Sequence, residues 1–215
     1  MADLILYVGN KNYSSWSFRP WIALEAAGVP FKDKVIPFDF PAGNPDIRKV
    51  SPTGKVPVLY HGAVRVWESL AIIEYAAELF PDKGIWPEDV AARAEARAIS
   101  MEILSGFHAL RNTCPMNIRR KPGTVDLSDG VRNDVARIET IWKTALTRSG
   151  GPFLFGAFSA ADAMYAPVVN RFEAYCLTTD ETVLAYMARM KAHPAWQTWE
   201  VAARAEPWIV PEDEA

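Results

Sequence analysis

The residues able to do chemistry sit in two short stretches. In 10–24, Asn10-Lys11-Asn12-Tyr13-Ser14-Ser15-Trp16-Ser17 is a polar, hydroxyl-rich loop that opens into the apolar run Phe18-Arg19-Pro20-Trp21-Ile22-Ala23-Leu24. In 54–75, GKVPVLYHGAVRVWESLAIIEY, Lys55-Val56-Pro57 precedes a tight hairpin, and Glu68-Ser69 precedes a second apolar run beginning at Leu70. A helix starting with Ser at or near its cap presents a hydroxyl, free N–H groups and the positive end of its dipole, all of which favour an anion. Strand, hairpin and acid-serine helix start together make a cradle for a small peptide.

These groups need a scaffold to hold them. Leu4–Val8 reads as a short apolar strand, 18–27 as a helix ended by Gly28, and 31–38 as a second strand. Pro57 cannot donate to a ladder, so the strand 57–60 should begin at a sheet edge or a special bend. His61-Gly62 is then a two-residue hairpin loop leading into 63–67. This order is a βαβ half followed by ββα. The segment 80–87, with two prolines and a glycine, reads as a linker, with the break near residue 82. Beyond it the period changes: Val131, Val135, Ile138, Trp142 and Leu146 fall on one helical face, and 88–110 and 182–191 also read as helices. Ser159 should cap a helix over 164–169, with Asp162 completing a capping box, so Asp162 is expected to be structural.

Composition narrows the function classes. A chain of 215 residues, 50% hydrophobic and 23% charged, supports one large core or two modest ones. A formal net charge of −3 disfavours nucleic acid and anionic membranes as partners. No apolar run of about 18 residues is present to span a bilayer. The N-terminal MADLILYVGN has neither a basic n-region nor a small-residue cleavage site, which makes the cytoplasm the expected location. Cys114 and Cys176 lie at no metal-ligand spacing and make no disulfide framework; both are expected to be reduced, with Cys176 in the core.

Each candidate residue has a plainer reading when taken alone. Only about 5–6% of X-Pro bonds are cis, so Pro57 alone is an ordinary strand-start proline. Ser69 alone is a cap, Glu68 and Lys55 solvated charges, and the Ser/Asn loop a turn. Their order and spacing in one hairpin-helix unit is what argues for function.

The stretch 54–75 resembles the glutathione site of the cytosolic glutathione transferases, whose pattern is Gly-Lys-Val-Pro, a hairpin, then Glu/Gln-Ser-x-Ala-Ile. The resemblance implies a thioredoxin-like α/β N-terminal domain over 1–82 and an all-α helical C-terminal domain over 88–215 contributing the electrophile pocket. It implies a cis Pro57, with Val56 offering its N–H and C=O to the cysteinyl part of glutathione as in β-strand addition. Ser69 would bind the γ-glutamyl carboxylate, Glu68 its ammonium group, and Lys55 the carboxylate of the glycine end. Ser14-Ser15-Trp16-Ser17-Phe18-Arg19 is similar to the zeta-class pattern Ser-Ser-Cys-Ser-x-Arg, with Trp16 in place of Cys, and the serine matching both zeta and tau classes is Ser14. The resemblance is nearest to the zeta/tau-like serine classes and implies a member of bacterial type. In place of the family's hydrophobic staple, Ser159-Ala160-Ala161-Asp162 is followed by the small Ala163.

Keeping a thiol ionised near neutral pH requires lowering a pKa of about 8.5 by a unit or two, at about 1.4 kcal/mol per unit. A hydroxyl hydrogen bond to a charged acceptor contributes roughly 1.5–3 kcal/mol and a helix N-terminus roughly 0.3–1 more. Ser14 is therefore expected to donate to the glutathione sulfur. Ser15 is its rival after a one-residue shift, Ser17 is expected to cap the helix, and Tyr13 fits packing. In 105–120, Arg111, Asn117 and Arg119 are either recognition groups for an anionic co-substrate or solvated helix-end cations. His61, His108 and His193 have no ligand partners at metal spacing, so no metal site is expected. The family implies a homodimer acting on glutathione and a small electrophile by transfer. The alternatives are a zeta-like isomerase that regenerates glutathione and a non-catalytic binding or interaction module.

Overall fold

The computed structural model describes residues 3–214. Its first half is built on the strand β1 (Leu4–Val8), whose Leu4, Leu6 and Val8 are buried while Ile5 and Tyr7 face a second, less covered layer. The helix α1 (Ser15–Ala26) returns the chain to β2 (Lys32–Val35), parallel to β1. A short helix, α2 (Pro45–Val50), precedes β3 (Val58–His61) and β4 (Val64–Trp67), both antiparallel to their neighbours, and α3 (Ser69–Leu79) closes the unit. The sheet order is β2-β1-β3-β4. β2 is shorter than the 31–38 expected, and α2, opened by Pro45 after Asn44, was not anticipated.

After a 3-10 turn at Pro81–Lys83 every element is helical: α4 (Val90–Ser105), α5 (His108–Thr113), α6 (Asp129–Ser149), α7 (Ala160–Ala174), α8 (Glu181–Ala192) and α9 (Pro194–Ala205). The stripe Val131, Val135, Ile138, Trp142 and Leu146 is buried along α6. α7 is buried on nearly all sides, and α1 packs against α3, α7 and α9. One hydrophobic core therefore runs from the sheet through α1 into the helices.

Three expectations are corrected. The hairpin loop is Gly62-Ala63, because His61 pairs with Val64 and Gly62 supplies the left-handed φ of 59°. The expected helix over 88–110 breaks after Ser105: a Cβ on Gly106 would meet the Glu102 carbonyl oxygen at 2.9 Å, and buried Phe107 turns the chain at φ 55°. Cys176 is exposed, not core. It takes the left-handed position after α7 with φ 54°, and Leu177, whose N–H reaches the Phe172 carbonyl at 2.9 Å, is buried instead.

The capping box forms as expected. The fully buried Asp162 accepts from Ser159 N–H (2.9 Å) and Oγ (3.0 Å), Leu154 N–H (3.0 Å) and Tyr186 OH (3.0 Å). Burial pushes its carboxyl up to about 6, against these four donors. Asp162→Ala leaves those donors unmet and should cost about 3 kcal/mol or more in urea unfolding. Because the folded carboxyl holds its proton more tightly than the unfolded one, its contribution to stability is full below about pH 4 and lost as pH rises through about 6. The stability difference between the parent and Asp162→Asn should shrink over that window.

Candidate active site

The loop between β1 and α1 is held from two sides. Its own turn is tight, with the Asn10 carbonyl accepting from Tyr13 (3.1 Å) and Ser14 (2.8 Å) N–H groups and Asn10 Oδ1 accepting from Phe38 N–H (2.7 Å). The helical half grips the rest. Glu206 accepts from the N–H groups of Lys11 (2.7 Å) and Asn12 (3.1 Å), and Trp199 Nε1 donates to the Lys11 carbonyl (3.0 Å). Asn12 Oδ1 accepts from Arg119 N–H (2.9 Å), and Asn12 Nδ2 donates to Asn117 Oδ1 (2.9 Å). Ser14 emerges as the N-cap of α1, accepting from Ser17 N–H at 3.4 Å. Ser17 was expected in that role; it lies inside the helix instead. Ser15, the first helical residue, is half-buried on the same cleft.

The cradle faces this helix start. Val56-Pro57 is cis, and among the described residues the Val56 N–H and C=O have no protein partner. Lys55 is exposed beside it, with its N–H donating to Ser51 Oγ at 3.1 Å. Glu68 is exposed and held at φ 70°, ψ 131°, a conformation costing a residue with a Cβ of order 1–3 kcal/mol. Ser69 opens α3 as its first helical residue and is buried, with its N–H at the free end of the helix. Its hydroxyl donates to the Trp16 carbonyl at 2.6 Å. Pro20, four residues on in α1, has no N–H to fill that carbonyl, so the proline leaves open the acceptor that ties α3 to α1.

A cleft of about 400 Å³ joins the parts, lined among others by Ser14, Ser15, Lys55, Val56, Arg111 and Arg171. It adjoins a smaller one of about 200 Å³ at Pro57 and Glu68, sharing Trp16, Lys55, Val56 and Arg111. A separate pocket of about 230 Å³ between Pro30, Phe31 and Phe80 holds none of these groups. Among the described residues no group of three or more His, Cys, Asp and Glu side chains is placed to hold a metal.

The cleft is cationic. Arg19 and Arg111 cover the Trp16 ring at 4.3 and 4.6 Å from its centroid. Arg19 donates to the Met164 and Ser15 carbonyls, Arg171 to the Cys114 carbonyl at 2.8 Å. Arg19 Nη2 and Arg171 Nη1 are buried without an acceptor, and neither side chain has an acidic partner within 4 Å among the described residues. Burial, then the charge of Arg111, brings Arg171 down to about 10, so it remains cationic at neutral pH. Asp213, also on the cleft, is raised by burial against the pull of Arg171.

Residues 13–79 match the description "Glutathione S-transferase, N-terminal domain", and residues 118–200 match "Glutathione S-transferase, C-terminal domain". Glutathione S-transferase 1 of Dianthus caryophyllus is 30% identical over 159 residues, spanning 73% of this chain and 72% of that protein. The chain belongs to the glutathione transferase superfamily. A probable maleylacetoacetate isomerase of Caenorhabditis elegans is 30% identical over 172 residues, spanning 78% of this chain and 79% of its own length. Among solved structures, a glutathione transferase homolog from Burkholderia with bound glutathione superposes with a TM-score of 0.74 at 23% identity, covering 96% of this chain and all (100%) of that one. The architecture is the glutathione transferase fold, a thioredoxin-like domain followed by an all-helical one. Among the described residues no helix is long and apolar enough to cross a membrane.

Of the residues singled out from sequence, Ser14, Ser15, Lys55 and Val56 share the main cleft, and Pro57, Glu68 and the Ser69 helix start border the smaller one or lie beside it. Arg111 reaches the cleft. Asn117 and Arg119 do not serve as its recognition groups: Arg119 donates to the Glu206 (2.7 Å) and Trp208 (2.7 Å) carbonyls and to Tyr13 OH (2.8 Å), and Asn117 holds the C-terminal segment at Glu214. Arg171 was missed; its signal was a charged residue inside the apolar run of α7. Arg119→Ala should lower stability by about 2 kcal/mol in denaturant unfolding. Ser69→Ala, which strands the Trp16 carbonyl, should cost about 1–3 kcal/mol by the same measurement in the ligand-free protein.

Proposed function

We propose that this chain is an active glutathione transferase that ionises the thiol of bound glutathione and directs it at a small electrophile carrying a carboxylate. The observation that carries the reading is the single cleft holding Ser14, Val56 and the arginines Arg111 and Arg171. Glutathione is the co-substrate: Val56, ahead of Pro57, pairs with its cysteinyl backbone, and Lys55 meets the glycine carboxylate. The free N–H end of α3 at Ser69 takes the γ-glutamyl carboxylate while Glu68 takes the ammonium group. Since the Ser69 proton is given to Trp16, the backbone N–H of Ser69 is the stronger donor for that anion. Ser14 donates to the sulfur, and Ser15 is the rival on the same face.

In this reading residues 1–82 bind glutathione and residues 88–215 contribute the electrophile pocket. The chain is nearest to the zeta/tau-like serine classes of bacterial type, with Trp16 where the zeta pattern has Cys. It acts as a cytoplasmic homodimer. Ser14→Ala should raise the thiol pKa of bound glutathione by about one to two units toward the free value, while Ser15→Ala leaves it in place; the reverse result would transfer the role to Ser15. An unchanged, unshifted thiol in the parent would favour the non-catalytic module. Arg171→Met should raise KM for a carboxylate-bearing electrophile about tenfold or more and leave a neutral one within about twofold.

A second reading, isomerisation with glutathione recovered, is favoured by the same arginines together with the similarity to the probable maleylacetoacetate isomerase. Product stoichiometry separates the two: transfer consumes one glutathione per product, and isomerisation returns it.

A further inference from the structure

Ser17 is fully buried behind Ser14 and touches no part of the cleft. Its Oγ accepts from Gly9 N–H at 3.1 Å and from the Ser14 hydroxyl at 2.7 Å. Both lone pairs of Ser17 Oγ are thereby used, and among the described residues its own proton has no acceptor. With Ser14 as the donor of that contact, its proton points away from the cleft. In that arrangement Ser14 offers a sulfur anion only lone pairs, which repel it.

Turning the two hydroxyl rotors removes both faults without moving a heavy atom. Ser17 then donates to Ser14 across the same contact, Gly9 N–H continues to donate to Ser17, and the Ser14 proton is released toward the cleft. Ser14 Oγ also keeps the Ser17 N–H, so its acceptor capacity is filled from behind. No covalent bond forms or breaks, and each proton stays on its own oxygen. In the chain from Gly9 N–H through Ser17 and Ser14 to the thiolate, every donor points the same way and each bond polarises the next.

We propose that Ser17 is a positioning residue that sets the direction of the Ser14 hydroxyl and strengthens its bond to the glutathione thiolate. This rests on the assignment of Ser14 to the sulfur. The backbone N–H of Gly9 anchors the far end, and Gly9 itself admits no side chain there, since a Cβ would meet the Phe38 ring at 2.5 Å.

The test is the thiol pKa of bound glutathione, read from the chemical shift of its isotopically labelled cysteinyl Cβ, so that protein thiols do not contribute. Ser17→Ala should raise it by about 0.5–1 unit, less than Ser14→Ala, and should add nothing in the Ser14→Ala background. Ser17→Cys is somewhat larger and is a weak donor; it should shift the value the same way, and it carries the test if the alanine variant unfolds. Ser17→Ala also strands the Gly9 N–H and should lower the melting temperature, so the deciding readout is the thiol pKa in the folded variant, which a packing defect alone would leave in place. A shift with Ser14→Ala and none with folded Ser17 variants, or an additive shift in the double variant, overturns the relay alone. No shift with Ser14→Ala overturns the assignment of Ser14 and the relay with it.

Discussion

The carboxylate of Glu206 closing on the amides of Lys11 and Asn12 is the contact on which the site depends. The loop that delivers Ser14 to the start of α1 has a tight turn of its own, but its first amides find no acceptor in the sheet domain. They are met from a residue nearly two hundred positions away in sequence. Burial raises the Glu206 carboxyl, while the two amides, Lys11 and Arg119 pull it back toward the charged form. Arg119 accepts no substrate role because it is spent on the same junction, holding the Glu206 and Trp208 carbonyls and Tyr13 OH together. The loop that carries Ser14 is thus positioned by the helical unit, so the two halves are one device.

A second constraint is electrostatic. Arg19, Arg111 and Arg171 gather around Trp16 and the cleft, and each is lowered chiefly by burial; Arg19 is lowered further by the charges of Arg171 and Arg111. A folded chain keeps buried like charges together only where something offsets them. Part of the offset is local: backbone carbonyls take some of the guanidinium protons, and the Trp16 ring faces two of the cations. The rest is left open as unpaired N–H groups of Arg19 and Arg171. Of the two, Arg171 lines the same cleft as Ser14.

Pro20 shows how a local oddity becomes a tertiary contact. A proline inside a helix withholds one amide, and the Trp16 carbonyl that loses its partner accepts the Ser69 hydroxyl. The start of α3, where an anion would bind, is therefore fastened to the start of α1, where the thiolate would be stabilised. One hydrogen bond thus joins the first turns of two helices that are more than fifty residues apart in sequence.

What the sequence determined by itself was everything governed by near neighbours. The hairpin-helix unit 54–75, the buried face of α6 and the Ser159–Asp162 box follow from spacing along one element, since strand and helix periods and caps are local properties. Even there, one-residue details shifted: Gly62 moved the hairpin loop, Ser14 took the cap from Ser17, and Cys176 ceded the core to Leu177. Only the tertiary structure decided which polar side chains line the cleft. Arg111 and Arg119 are the same residue type in one segment, yet Arg119, like Asn117, is consumed by partners about ninety or more residues away, while Arg111 lines the cleft and Arg171 is left with an unmet N–H. A polar group's function is set by which of its hydrogen bonds remain unmet after folding, and the distant segments that meet them have no period or motif to announce them in the chain.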